Sequence, residues 1–139
     1  MRAQIGLEYM VVVGMIVTIL IPLFYYANEQ FELSRTKGEA NIAMKTIVTS
    51  VNTVYAQSSG SKLTANVYIP KGYHPESSRL VNKTIMMNYT AIGGGAYPIM
   101  GIAKCNVSGR LPPYWGYHVM SFTLMPNGNV SINASAPSP

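Results

Sequence analysis

The sequence contains no aspartate, and its five acidic residues are the glutamates Glu8, Glu29, Glu32, Glu39 and Glu76. Only one carboxylate lies beyond residue 39, so paired-carboxylate acid/base chemistry, an oxygen cage for Ca²⁺ or Mg²⁺, and a Ser-His-Asp arrangement all lack their parts. No enzymatic activity and no cofactor are expected. A single cysteine, Cys105, excludes an intramolecular disulfide and a multi-cysteine zinc site, and reads as a small buried hydrophobe in a strand. His74 and His118 have no cysteine or carboxylate cluster beside them, so they read as surface or core histidines rather than metal ligands. Charge as a whole is scarce, at 11% of residues against roughly 25% in soluble domains. The ten Lys and Arg that give a net charge of +5 are scattered from Arg2 to Arg110, which is not the clustered footprint of a nucleic-acid partner.

What is abundant is apolar surface, 48% of 139 residues, and much of it sits in one place. From Tyr9 to Asn28 no residue is charged and most are Val, Ile, Leu, Met or Phe. A helix of that length spans about 30 Å, the apolar thickness of a bilayer. Burying its dozen or so large side chains is worth on the order of 15–30 kcal/mol gross, so water is excluded as its resting environment. Pro22 inside the run removes one helical hydrogen bond, and a kink is expected there. A carboxylate at Glu8, at the mouth of this helix, is costly unless a cation or the helix N-terminus compensates it.

Helical spacing continues past the run. Ala40, Met44, Ile47, Val51 and Val54 recur at steps of three and four, the stripe of an amphipathic helix with one covered face. Gly38 is expected to permit a bend. Ser58-Ser59-Gly60-Ser61 ends the element near Gln57, giving a helix of about 75–80 Å. The period then changes to two: Leu63, Ala65, Val67 and Ile69 form one strand, and Val81, Ile85, Met87 and Tyr89 a second row that Gly93-Gly94-Gly95 interrupts. Further strands are expected around Ile99–Val107, Tyr117–Met125 and Val130–Asn133, with Pro126-Asn127-Gly128 as a hairpin turn. The expected fold class is α+β: a long helix over residues 4–58, then a small antiparallel β-sandwich or barrel-like outer domain over 59–139.

Five Asn-x-Ser/Thr sequons lie in the β region, at Asn82, Asn88, Asn106, Asn129 and Asn133, and strand parity predicts that all five oppose the apolar rows. Together they point to a secreted, glycosylated surface, hydrated by sugar where charge is missing. Of the ten tyrosines, Tyr97 and Tyr114, with Trp115, lie in turn-like segments; packing is preferred over an adhesive role for them.

The extreme N-terminus, Met1-Arg2-Ala3-Gln4-Ile5-Gly6-Leu7-Glu8-Tyr9, places a short basic leader, a Gln, and a Glu four residues later in front of the apolar run. It resembles the class III signal peptide of archaeal type IV pilins, although the family usually has Ser where this chain has Gly6. An ordinary secretory signal would be cut after the run, where Tyr25-Tyr26-Ala27 puts a bulky residue at a position needing a small one.

The resemblance implies that residues 1–3 are removed by a membrane-embedded prepilin peptidase cutting between Ala3 and Gln4. The apolar helix is retained, and Glu8 pairs with the Gln4 amine of a neighbouring copy; cyclisation of Gln4 would remove that partner. It further implies a structural subunit of an extracellular filament for adhesion, membrane-embedded before assembly, whose partners are copies of itself and the pilus assembly platform. An archaellin of a swimming filament and a monomeric membrane-anchored surface binding protein are the alternatives.

Overall fold

The computed structural model describes residues 2–91 and 94–135, with side chains from Gln4 onward. Among the described residues a single helix, α1 (Arg2–Tyr55), precedes seven strands: β1 (Lys62–Ile69), β2 (Tyr73–Val81), β3 (Thr84–Thr90), β4 (Ala96–Ile102), β5 (Val107–Arg110), β6 (Gly116–Leu124) and β7 (Val130–Ser135). The fold is α+β. Two compact units divide the chain, one reaching to Ser34 and the other beginning at Arg35, so the boundary falls inside the helix.

In the first unit the helix continues through Pro22 without interruption. Thr18, a polar residue in the apolar run, donates its hydroxyl to the Gly14 carbonyl at 2.8 Å and so leaves no unpaired donor. In the second unit the expected stripe is covered: Ala40, Ala43, Met44, Ile47, Val51 and Val54 are each at most 4% exposed. The four largest of these contribute roughly 6–12 kcal/mol gross, at about 1.5–3 each. Beyond Tyr55 the amides of Ala56 and Gln57 bond back to Asn52 and Val54, and Gly60, at φ 88°, turns the chain away.

The strands form a four-stranded sheet in the order β1-β6-β7-β5 and a three-stranded sheet in the order β2-β3-β4. Their inner faces share one core with the helical stripe: Val67 and Ile69 from β1, Ile85, Met87 and Tyr89 from β3, Met120 and Phe122 from β6, Val130 and Ile132 from β7. The hairpin at Pro126-Asn127-Gly128 is present, closed by Gly128 N to Met125 O at 3.0 Å, with Gly128 at φ 80°.

Three expectations need correction. Tyr73–Val81 forms β2, which the sequence does not announce because its middle is polar and contains Pro75. It is an edge strand with a bulge between His74 and Arg79, and most of its side chains are exposed, so no apolar alternation is required. Val81 accordingly leaves the apolar row and is 51% exposed, while Ile85, Met87 and Tyr89 stay buried.

Secondly, Ile99–Val107 is not one strand. Burial alternates through Ile99, Gly101, Ala103, Cys105 and Val107, but the backbone changes partner midway. β4 pairs with β3, and β5 pairs with β7. Period two reports which face is covered and is silent about who pairs. Thirdly, the sheets are not wholly antiparallel, because β5 runs parallel to β7. Of the expected glycine break, Gly93 lies outside the described residues; Ala91 N to Gly95 O at 2.7 Å closes that loop.

Two glycines permit close approaches. A Cβ on Gly101 would stand 2.5 Å from Val48 Cγ2 and 2.6 Å from Met44 Sδ, so its absence lets β4 come up against the helix. At Gly109, φ is 115° and a Cβ would run into the Ile132 carbonyl, which makes the parallel β5–β7 pair dependent on glycine. Gly109→Ala is expected to lose about 3 kcal/mol of stability in denaturant melts of the full chain. Gly128→Ala, also at a positive φ but with open space around it, is expected to lose only about 1 kcal/mol.

Candidate functional site

The N-terminal helix is the first candidate. Every residue from Gln4 to Asn28 is exposed, with Ile5 at 67%, Ile19 at 67% and Phe24 at 79%. The apolar side chains surround the helix rather than forming a stripe, so no single neighbour of ordinary size could cover them. The helix is long and apolar enough to cross a membrane. Tyr9 and the pair Tyr25-Tyr26 flank the run about 25 Å apart at 1.5 Å per residue, the spacing of interfacial aromatic belts.

Glu8 stands one turn beyond Gln4 and has no ion-pair partner among the described residues. Met1 and the side chains of Arg2 and Ala3 lie outside the described residues, and the Ala3–Gln4 bond is in helical backbone. Pro22 withholds the amide that would bond the Thr18 carbonyl, and its neighbours Val17, Leu20, Ile21, Leu23 and Phe24 line a shallow apolar concavity.

The sequons occupy unequal positions. Asn106 and Asn133 are exposed, and each opposes buried neighbours, as parity predicts. Asn82 is instead the first residue of the two-residue β2–β3 turn, at φ 53°, a conformation that asparagine tolerates. Asn129 follows the β6–β7 turn, half-buried, and its amide bonds the Asn127 side chain at 3.1 Å. Asn88 opposes Met87 and Tyr89, yet its Nδ2 donates to the Ser77 carbonyl at 2.7 Å inside the β2 bulge. The amide nitrogen to which a glycan is joined is therefore engaged at Asn88.

The aromatics divide in the same way. Tyr73, Tyr89 and Tyr97 form a row with ring centroids 5.6 and 5.9 Å apart, and the hydroxyls of Tyr89 and Tyr97 have no hydrogen-bond partner among the described residues. Burial, with Tyr73 and Tyr97 adding to it, pushes the Tyr89 phenol far above its ordinary value, and burial also raises Tyr97. Tyr97 thus belongs to the packing, under the Lys37 ammonium at 5.3 Å. Tyr114 and Trp115 are exposed, at 43% and 52%. Buried His118 bonds the Tyr114 carbonyl through Nε2 at 2.9 Å and so tethers their loop. His74 is exposed and bonds Thr90, and Cys105 is buried, with burial raising its thiol.

Among the described residues no group of three metal-ligating side chains is found. Two arginines that sequence reasoning passed over, Arg79 and Arg110, line one groove. They are 31 positions apart in the chain, and no spacing rule links them; the fold alone brings them together. No family model matches the chain, and neither a curated protein nor a solved structure matches it.

The tyrosine row makes a pH prediction. Because Tyr89 holds its proton more tightly folded than unfolded, its contribution is constant below the ordinary phenol pKa of about 10 and declines as pH rises above it. Tyr89→Phe, which removes an unpartnered hydroxyl, is expected to be neutral or up to about 1 kcal/mol more stable at pH 7. It should also shrink the alkaline decline in denaturant melts; a variant several kcal/mol less stable would contradict this.

Proposed function

We propose that this chain is the structural subunit of an extracellular archaeal type IV-like pilus, adhesive in role. It is held in the membrane by its N-terminal helix before assembly and polymerises by packing that helix against copies of itself. The observation that carries the reading is the contrast within one helix: the stripe from Ala40 to Val54 is covered by the chain's own sheets, whereas the apolar residues from Ile5 to Phe24 are all exposed. Lipid covers such a helix in a single anchored copy. Other copies cover it in a fibre, where van der Waals packing replaces lipid contact.

Glu8 favours the fibre over the permanent anchor. A carboxylate at the edge of an apolar segment is stabilised by a fixed cation, and removal of residues 1–3 creates an α-amino group at Gln4, one turn away in sequence. A neighbouring copy, shifted along the axis, can present that amine to Glu8 and so set the stagger between subunits. An archaellin would use the same logic.

The surface fits an exterior role. From residue 59 onward there are six cations and one carboxylate, with Asn82, Asn106 and Asn133 free in the outer sequons and Asn88 engaged. Sheared surface filaments are expected to contain this chain beginning at Gln4, with hexose-bearing peptides at Asn82, Asn106 or Asn133 and an unmodified Asn88. Glu8→Gln is expected to lower filament yield at least tenfold while the subunit still accumulates in the membrane. Normal filaments from that variant, or a mature chain lacking the helix, would contradict the proposal.

A further inference from the structure

Each sheet ends on an exposed edge strand, β2 in the three-stranded sheet and β5 in the four-stranded one, and these two edges lie against each other. Their seam opens as a groove lined by Pro75, Arg79, Leu80, Arg110, Pro112 and Pro113 with their neighbours, and no carboxylate is in the lining. The side chains of Arg79 and Arg110 have no ion-pair or hydrogen-bond partner among the described residues. Both arginines line this groove, and each guanidinium presents a planar fork of donors that matches a carboxylate or sulfate ester. An oxyanion held in the groove would offset their like charge and accept from their donors.

The walls narrow the choice of ligand. Proline rings are rigid and apolar, and past Pro113 the chain continues directly into exposed Tyr114 and Trp115, whose loop His118 anchors. Lys71 stands over the Trp115 ring at 5.3 Å, which extends the cationic character along this surface. Alternating acidic groups and apolar C–H faces are the chemistry of an acidic sugar chain. A nucleic acid backbone asks instead for cations in a continuous run, and those of the outer segment are dispersed.

We propose that the β2–β5 groove binds an acidic polysaccharide, with Arg79 and Arg110 holding a carboxylate or sulfate group and the exposed Pro113–Trp115 segment covering the adjoining sugar rings. The proposal rests on the adhesive reading above and gives it a ligand class.

The test is titration of the full chain in detergent micelles with oligogalacturonate, at low and moderate salt. The comparison probes are neutral dextran oligosaccharides of equal length, inorganic sulfate and duplex DNA. Oligogalacturonate is expected to bind best, with affinity falling about tenfold in Arg79→Gln and in Arg110→Gln and further in the double variant, since bidentate charge-assisted bonds are lost. Lys62→Gln, on β1 at the opposite edge of its sheet, should bind as the parent chain does. Replacing both arginines by lysine should restore only part of the loss. Unchanged binding in the Gln double variant, equal binding of dextran or DNA, or equal competition by free sulfate would overturn the site.

Filament formation by the same variants separates the two readings. A chain that binds the acidic sugar but never polymerises keeps the groove and loses the fibre. Filaments that ignore the sugar lose the groove alone.

Discussion

Apolar helix surface has to be covered, and this chain covers only the stripe that follows Arg35. From Ala40 to Val54 the helix carries a stripe, and a stripe can be satisfied by one neighbour: two sheets close on it, Gly101 lets β4 approach, and a shared core results. From Tyr9 to Ala27 the side chains are apolar around nearly the whole circumference, and among the described residues none of them is buried. The gross cost of leaving them in water, tens of kcal/mol, exceeds the whole net stability of an ordinary domain. Membrane residence and self-assembly are two answers to that one constraint, and a chain that moves from membrane to fibre uses them in succession.

The scarcity of charge is the second theme. In the fibre we propose, a subunit must remain hydrated on its outside while repeating at high local concentration. Here the outer segment has few charged groups, nearly all of one sign, and hydroxyl and amide side chains fill much of the rest. The outward side of the four-stranded sheet carries Thr64, Ser121 and Asn133 in register, flanked by Arg110. Such a face is wet without being strongly charged. Exposed edges β2 and β5 close on each other, which limits stray strand pairing.

Much of this was legible because the signals are one-dimensional. The covered stripe at Ala40, Met44, Ile47, Val51 and Val54, the alternation from Leu63 to Ile69, and the Pro126-Asn127-Gly128 turn all report local geometry, which spacing encodes. Partnering is not local. Nothing around Ala103 announces that the chain passes from one sheet to the other, since the burial alternation continues unbroken while hydrogen-bond partners change. β2 was illegible for a different reason: an exposed, bulged edge strand is under no pressure to alternate, so its sequence reads as loop. Parity placed Asn106 and Asn133 well but failed at Asn82, because a turn residue belongs to neither face. The Arg79–Arg110 groove depends on the meeting of two edges and had no signature at all.

The most direct measurement concerns the covering of the N-terminal helix. With Cys105 buried, single cysteines introduced at Val13, Val17 or Leu20 would be the reactive thiols of the assembled material. Oxidative cross-linking of surface fibres carrying one of these is predicted to join subunits through the helix, and a bifunctional maleimide should do the same. A chain whose introduced thiols react only with membrane-soluble reagents, and never with another copy, would contradict the account.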